Sequence, residues 1–270
     1  MLVDTHCHLY FDVFDDDRLE VVTRAREFGV ARILNAGIDV QTSREAIRLA
    51  EEIPEFYVAV GVHPNDSNSW SEGTLEELKS LTKQSKVVAI GEIGLDYYRN
   101  HAPHDFQSKV FQQQLSLAKD CGLPVVIHIR NASFDDQRAS EEALQLLITW
   151  QKELEISNPD LAQRPGVLHS FSGHLSNAQL AIKSNFMIGI TGPITFKNAD
   201  MLRAVVRKLP LESILIETDA PFLAPHPFRG RRNEPAYVKY VAEKISQIRE
   251  ENFDLVAQTT TMNAEKLFLW

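Results

Sequence analysis

The chain has 270 residues, of which 44% are hydrophobic and 24% charged, so it can bury the core of one large α/β barrel or two small domains. Its formal net charge of −9 argues against a protein that grips nucleic acid over a broad basic face, although a local cationic patch is compatible with it. No stretch approaches the roughly 18 apolar residues of a spanning helix, and the N-terminus shows no export signal. A cytoplasmic protein without a membrane partner is expected.

Short β-branched runs alternate with amphipathic stretches at intervals of about thirty residues, the spacing of repeated strand–helix units. Eight runs predict strands, at residues 2–6, 32–36, 56–60, 87–91, 124–128, 166–170, 186–190 and 213–217. Between them, apolar residues three and four positions apart predict helices, as at Leu19, Val22 and Ala25. Eight such units predict an α/β fold of the (β/α)8 TIM barrel type.

Two later segments fall outside this regular alternation. The segment from Pro235 to Trp270 keeps a helical periodicity, which predicts C-terminal helices packed on the barrel. Residues 1–270 are therefore expected to form a single domain. Residues 150–165 are polar and contain two prolines, which predicts a loop insertion.

The first predicted strand carries two histidines, His6 and His8, in the sequence VDTHCHL. Residues i and i+2 of a strand share a face, so the two imidazoles point the same way and are placed to chelate an ion. Taken alone, this spacing fits a pair of metal ligands and two unrelated histidines equally well.

Four more polar residues lie at or just after the C-terminal ends of predicted strands: Glu92, His128, His169 and Asp219. In a barrel these ends converge on the face that carries active sites. The four residues and the two histidines of the first strand are therefore expected to meet in one cavity.

Imidazoles together with carboxylates suit zinc, manganese, iron or nickel, whereas magnesium, which stays possible, normally prefers oxygen ligands. Six ligands exceed what one tetrahedral ion requires, so a centre of two divalent metal ions is expected. The two histidines of the first strand are assigned to one ion, which Asp219 completes. His128 and His169 are assigned to the other, and Glu92 is expected to bridge the two.

At these residues the chain resembles the TatD family of metal-dependent deoxyribonucleases, within the amidohydrolase-type barrels. The shared motifs run nearly end to end: DTHCHL at 4–9, GVHP at 61–64, GEIGLDYY at 91–98, FQQQLSLAKDCGLPVVIHIRNA at 111–132, HSFSG at 169–173, GPITFKNA at 192–199, ETDAPFLAP at 217–225 and RGRRNEPAYV at 229–238. The resemblance implies a (β/α)8 fold, hydrolysis of phosphodiester bonds in DNA and the same six metal ligands. Residues 134–165 are longer than expected of a typical member, and a longer loop after the fifth strand would reshape substrate access.

Such hydrolysis needs a strong nucleophile at neutral pH, which a metal-bound water supplies. Asp219 is expected to bind a metal and to accept the proton of the attacking water, with the bridging Glu92 as the second catalytic residue. Glu217 either orients a ligand histidine or is a structural acid. Asp96 is either a loop cap or an acid on the substrate side.

A tight basic cluster follows the last strand and consists of Arg229, Arg231 and Arg232. Arginine forks bind phosphate in a bidentate manner, so Arg229 and Arg231 are predicted to bind substrate, with a solvated surface as the alternative. Lys197 and Arg130 follow other strands and are predicted to add to this binding. His63 is predicted to contact a phosphate or sugar, with a structural hydrogen bond as the alternative.

Aromatic residues near strand ends are candidates for stacking on unpaired bases, with core packing as the alternative: Tyr97, Tyr98, Phe171 and Phe196. The expected substrate is DNA with single-stranded ends, cleaved as by an exonuclease, and no obligate protein partner is predicted. Two alternatives remain open. One is a barrel metal hydrolase acting on an amide or ester, such as a lactone or an aminoacyl-tRNA ester; the other is a non-catalytic metal-binding scaffold.

Overall fold

The computed structural model describes residues 1–99 and 101–270. Its sheet has eight strands that pair in chain order: β1 (Leu2–Cys7), β2 (Val30–Ala36), β3 (Phe56–Val60), β4 (Val87–Asp96), β5 (Val125–Arg130), β6 (Gly166–Leu168), β7 (Met187–Ile190) and β8 (Ile214–Ile216). All neighbouring pairs are parallel. The predicted TIM barrel is thus confirmed, and each predicted strand is present, the third with its predicted bounds and the others with shifted ends.

Helices lie between and after the strands: α1 (Arg18–Glu27), α2 (Val40–Glu52), α3 (Glu72–Leu81), α4 (His104–Cys121), α5 (Arg138–Ser157), α6 (Pro159–Ala162), α7 (Leu175–Lys183), α8 (Asp200–Lys208), α9 (Val238–Arg249) and α10 (Phe253–Phe268). Local chemistry sets their starts; for example, Asp39 accepts from the Thr42 backbone N–H at 2.7 Å in a capping box that begins α2. Among the described residues, no helix combines the length and apolar character needed to cross a bilayer.

The C-terminal helices pack on the barrel, as predicted. The side-chain amide of Asn263 in α10 donates to the carbonyl of Ile214 in β8 at 2.8 Å, and the Thr261 hydroxyl donates to the carbonyl of Met1. Leu267 and Phe268 at the end of α10 belong to one buried cluster with residues of β1 and β2. The last two helices therefore complete the core of the barrel.

The prediction of a loop at residues 150–165 is wrong. Helix α5 continues to Ser157, because Trp150 and Leu154 extend the buried stripe of an amphipathic helix while charged residues such as Lys152 face solvent. Pro159 takes the first position of α6, where proline is favoured. Most of the long segment 134–165 is consequently helix, and the irregular connection after β5 is short.

The seam between β1 and β8 is closed by the residues that follow β8. The His8 backbone N–H donates to the carbonyl of Ala220 at 2.8 Å, and the Asp219 backbone N–H donates to the carbonyl of His6 at 2.9 Å. The buried Asp4 carboxylate accepts from the backbone N–H of Thr218 at 2.8 Å and from its hydroxyl at 2.5 Å. These bonds, called the seam below, fix the loop after β8 against the first strand.

Candidate metal centre

The barrel brings six side chains of the sequence analysis together at the C-terminal ends of its strands. They are His6 in β1, His8 just after β1, Glu92 in β4, His128 in β5, His169 just after β6 and Asp219 in the loop after β8. These side chains are buried or nearly so, because successive parallel strands converge at this mouth of the barrel. The residues therefore form one cluster.

Glu92 lies at the middle of this cluster, and its two oxygens face different histidines. Oε2 is 3.3 Å from Nε2 of His6 and 3.8 Å from Nε2 of His8. Oε1 is 2.8 Å from Nδ1 of His128 and 4.0 Å from Nε2 of His169. One carboxylate could thus contact two cations, each held by a different group of imidazoles.

Asp219 lies on the other side of the His6 and His8 pair. Its Oδ1 is 3.4 Å from Nε2 of His8, 3.8 Å from Nε2 of His6 and 3.7 Å from Nε2 of His169. The backbone of Asp219 has a φ of 58°, a left-handed conformation that aspartate tolerates better than most residues. The Phe222 backbone N–H donates to its carbonyl at 2.7 Å, so the turn aims the carboxylate at the histidines.

The donor atoms fit divalent cations. His8 donates from Nδ1 to the carbonyl of Ala36 at 2.8 Å, and His169 donates from Nδ1 to Glu217 at 2.9 Å, which leaves the Nε2 lone pairs of both rings facing the cavity. The Nε2 atoms of His6 and His8 are only 3.2 Å apart. Either a proton on Nε2 of His6 or a cation between the two rings would make this contact attractive.

The carboxylates create a strongly negative potential at the centre. Burial alone would lower the pKa of His128, but hydrogen bonds to Asp96 and Glu92 raise it to about 9. Burial likewise opposes the charge on His169, yet the buried Glu217 beside it raises its pKa to about 9. The carboxylates that stabilise a proton on these two rings would also stabilise a divalent cation beside them.

Glu217 fixes the orientation of the His169 ring through a hydrogen bond with Nδ1. It is fully buried and accepts from His169, from the backbone N–H of Ser170 at 2.9 Å and from the Thr5 hydroxyl at 3.3 Å. Its carboxylate fits because β7 has a glycine alongside: a Cβ at Gly189 would lie 2.3 Å from Oε1. The structure thus agrees with the first of its two predicted roles, the orientation of a ligand histidine.

His63 lies at this cluster too, although the sequence placed it with the substrate contacts. Its Nδ1 accepts the backbone N–H of Asn65 at 3.1 Å, so a neutral ring carries its proton on Nε2, which is 3.8 Å from Oε1 of Glu92. Burial and the neighbouring His128 lower the pKa of His63 to about 3. The position of His63 could be predicted from the motif GVHP at the end of a strand. The contact with Asn65, which sets the tautomer of the ring, could not be predicted from the sequence.

Asp96 combines a loop cap with a contact to the centre. Its Oδ1 accepts the backbone N–H groups of Tyr98 and Arg99, each at 2.9 Å, while Oδ2 is 3.2 Å from Nε2 of His128. The loop cap was one of its two predicted roles. Because His128 meets Glu92 through Nδ1, the bond from Nε2 to Asp96 fixes the orientation of the ring.

We expect Asp96→Asn to lower metal affinity by roughly 10- to 100-fold, the usual loss when the hydrogen-bond partner of a ligand histidine is removed. Isothermal titration with the metal measures this directly. Asp105→Asn, an exposed change in α4, is the matched control and should leave affinity unchanged. Equal affinity in both variants would restrict Asp96 to capping the loop.

The predicted basic residues differ in what they contact. Arg232 pairs with Asp17 at 2.7 and 2.5 Å and donates to the carbonyl of Val13, so it fastens the loop after β8 to the segment before α1. Arg229 lies 4.3 Å over the ring of Phe196. Three further predicted cations are exposed: Lys197 and Arg231 in the loops after β7 and β8, and Arg130 at the end of β5.

Two of the four aromatic candidates follow the core-packing alternative. Phe171 is buried, and Tyr97 is buried with its hydroxyl donating to Glu142 at 2.5 Å. Tyr98 is 54% exposed and lies 4.1 Å under the guanidinium of Arg130, so it and Phe196 keep a ring at the surface.

Two aromatic residues that were not predicted from the sequence lie beside the centre. Phe11 stacks on the His8 ring with centroids 5.3 Å apart, and Phe222, which is 52% exposed, lies edge-on to Phe11 at 6.1 Å. Both belong to quoted or adjoining motifs, DTHCHL and ETDAPFLAP, yet neither ends a predicted strand. Strand position therefore gave no reason to single them out.

Comparison with known proteins agrees with this geometry. The family model described as TatD related DNase matches residues 3–269. The chain is 43% identical to the "Uncharacterized metal-dependent hydrolase YabD" of Bacillus subtilis over 268 residues, covering 99% of each chain. It is 36% identical to the "3'-5' ssDNA/RNA exonuclease TatD" of Escherichia fergusonii over 273 residues, covering 99% of this chain and 98% of the relative.

A solved structure is similar over the full length. The crystal structure of YJJV, a TatD homologue from Escherichia coli K12, superposes with a TM-score of 0.89 at 33% identity, covering 100% of this chain and 98% of that one. The resemblance noted from the motifs is thereby confirmed. The chain belongs to the TatD related DNase family and is a metal-dependent hydrolase acting on ester bonds.

Proposed function

We propose that this protein hydrolyses phosphodiester bonds of DNA at single-stranded ends, using two divalent metal ions. The observation that carries the proposal is the position of Glu92, whose two carboxylate oxygens face separate groups of imidazoles. A shared carboxylate between two cation sites is the arrangement used for in-line displacement at phosphorus. Names of relatives that include "3'-5' ssDNA/RNA exonuclease" support the substrate class.

Each ion has its own set of ligands in this proposal. His6, His8 and Asp219 hold one ion, His128 and His169 hold the other, and Glu92 bridges them. When bound, the ions lower the pKa of a water from about 15.7 toward 7 and neutralise charge on the phosphoryl oxygens.

Asp219 is proposed to accept the proton of the attacking water. Burial alone would raise the pKa of its carboxyl, but a hydrogen bond with His8 and the nearby imidazoles His169 and His6 lower it, so it is ionised at neutral pH. Its side chain is 15% exposed, more than the 5% of Glu92, which leaves it accessible to water at the mouth of the cavity. Asp219 is therefore unprotonated and accessible to water, as a proton acceptor must be, and its lowered pKa limits its strength as a base.

The residues that we propose as substrate contacts lie around the metal centre, at the ends of strands and in the loops that follow them. His63 presents Nε2–H toward the centre and could donate to a phosphate oxygen. The guanidinium of Arg229 lies over the ring of Phe196 and that of Arg130 over the ring of Tyr98, contacts that limit the motion of each guanidinium and that are compatible with N–H donation to a phosphate. The loops after β7 and β8 add Lys197 and Arg231, which we propose as further phosphate contacts.

We expect Arg231→Ala to raise KM for oligonucleotides several-fold and to reduce the slope of log KM against log salt by about 1, because one phosphate contact is lost. Steady-state kinetics at several salt concentrations measure both. Lys183→Ala, an exposed change at the end of α7 on the opposite side of the barrel, is the control. An unaltered salt profile would exclude Arg231 from phosphate binding.

A hydrolase acting on an amide or a carboxylic ester is the second candidate. The same ligands suit that chemistry, and the net charge of −9 favours a small or neutral substrate over a polyanion. Elemental analysis of the purified protein, paired with turnover of single- and double-stranded oligonucleotides, lactones and aminoacyl esters across added metals, separates the two. We expect two ions per chain and fastest turnover of single-stranded DNA; turnover of the esters alone would reject the nuclease.

Two broader expectations complete the proposal. We propose that residues 1–270 are a single domain, which the contacts of α10 with Met1 and β8 support. We also propose that the protein is located in the cytoplasm. We propose further that it needs no obligate protein partner. Fractionation of cells that express the tagged protein tests the location.

A further inference from the structure

A second cavity lies beside the metal centre, between the loop after β1 and helix α2. Its volume is about 590 Å³. Sites for small ligands typically occupy about 300–1,000 Å³. Tyr10, Phe11 and Leu49 supply its apolar lining, and Thr42 adds a hydroxyl. The cavity is therefore large enough for a nucleoside and has aromatic rings for a base to contact.

Two lining residues join this cavity to the metal centre. The Tyr10 hydroxyl is 3.0 Å from Nδ1 of His8, and the Phe11 ring stacks on the same imidazole. Nε2 of His8, on the opposite edge of the ring, faces Asp219 and Glu92. A group held in the cavity is thus separated from the centre by a single side chain.

The charged residues around the cavity are mostly acidic. Arg18 is neutralised by Asp15 at 2.5 Å and also donates to the carbonyl of Leu9. The other charged residues that line the cavity are the acids Asp12 and Glu45 and the cation Arg48, so the lining carries one net negative charge. The negative balance contrasts with the arginines of the opposite rim and disfavours a phosphate in this cavity.

We propose that this cavity is a subsite for the terminal nucleoside of the strand being cleaved. The aromatic lining contacts the base, and the carboxylates of Asp12 and Glu45 accept hydrogen bonds from hydroxyl or amino groups of an uncharged nucleoside. A strand that continued through the cavity would bring its next phosphate against these carboxylates. The subsite therefore selects strand ends, an inference that rests on the proposed nuclease function and adds the reason for end specificity.

The test compares two oligonucleotides of one sequence, one ending in a 3′-hydroxyl and the other in a 3′-phosphate. The metal-loaded wild type should cleave the 3′-hydroxyl substrate with the higher kcat/KM. The double variant Asp12→Asn/Glu45→Gln removes two negative charges, so this preference should fall by about tenfold, as expected for charges several ångströms from a phosphate. The double variant Asp16→Asn/Glu51→Gln removes the same charges from exposed positions outside the cavity lining and is the matched control.

Equal kcat/KM of the wild type on both ends would overturn the subsite, as would an equal change of preference in the two double variants. Binding of a deoxynucleoside 5′-monophosphate and of its 3′,5′-bisphosphate to the metal-loaded protein provides a readout that needs no cleavage. Tighter binding of the monophosphate, with the difference reduced only by Asp12→Asn/Glu45→Gln, supports the cavity, and equal binding overturns it. If no oligonucleotide is cleaved, the nuclease function fails, and this binding comparison still decides the cavity.

Discussion

Glu92→Gln is expected to abolish turnover and to lower the metal content of the purified protein. Glutamine keeps the size of glutamate but replaces one carboxylate oxygen with an amide NH2, which cannot bind a cation. In either orientation of the amide, its NH2 group faces one of the two pairs of histidines. That pair then loses the carboxylate oxygen that would share its cation. The loss of activity should exceed the roughly 100-fold effect of removing a mere hydrogen-bond partner of a ligand.

Elemental analysis and kcat/KM on a single-stranded oligonucleotide measure the two effects together. Glu212→Gln, an exposed change just before β8 at the other end of the barrel, is the control and should keep both values. A Glu92→Gln protein that retains two ions and wild-type turnover would show that no shared carboxylate is needed.

Asp219→Asn is expected to lower kcat by about 10²- to 10⁴-fold, the usual contribution of a general base. Asparagine accepts the left-handed backbone that residue 219 requires, so the turn and the seam should remain intact. The amide oxygen can still face the ion of His6 and His8, but it cannot take up a proton near neutral pH. The change should therefore reduce kcat far more than metal content.

Three measurements on Asp219→Asn separate these contributions: kcat, ions per chain and the thermal midpoint. Asp200→Asn is the control, because the Asp200 side chain is 89% exposed and distant in sequence from the seam. Full activity with full metal content in Asp219→Asn would remove the proton-accepting role. A collapse of metal content would assign the residue to metal binding alone.

The barrel and the position of its polar cluster could be predicted because strand periodicity is a local property of sequence. Once eight parallel strands are accepted, the residue at each strand end is directed to the same mouth, whatever its neighbours are. This is why His128 and Asp219, far apart in the chain, could be placed in one cavity. The roles of these residues as metal ligands stay predictions that the variants above test.

Contacts between distant segments could not be predicted in this way. Arg232 was grouped with Arg229 and Arg231 by adjacency, yet its side chain is directed to Asp17, more than two hundred residues earlier. Tyr97 and Tyr98 are neighbours of similar chemistry, but only Tyr97 is buried, and its hydroxyl bonds to Glu142 in α5. In each case the orientation of the side chain depends on a segment that local pattern does not identify.

The polar segment 150–165 shows a different limit. Its prolines suggested a break, but Pro159 starts a helix and only Asn158 separates that helix from α5. Composition measures how polar a segment is, whereas the buried stripe of Trp150 and Leu154 depends on spacing. A residue count by face would have predicted the helix.

The seam has a consequence for how the protein acquires its metals. His6 and Asp219 are more than two hundred residues apart in the chain, yet the carbonyl of His6 and the amide of Asp219 join directly across the seam. A chain that lacks the loop after β8 would keep His6, His8 and Glu92 but lose Asp219, so it should retain the ion assigned to these residues poorly. Because ions bind the folded chain more tightly than the unfolded one, loading should also resist opening of the barrel at this joint. Metal retention would then report that the two sides of the seam have met in the folded barrel.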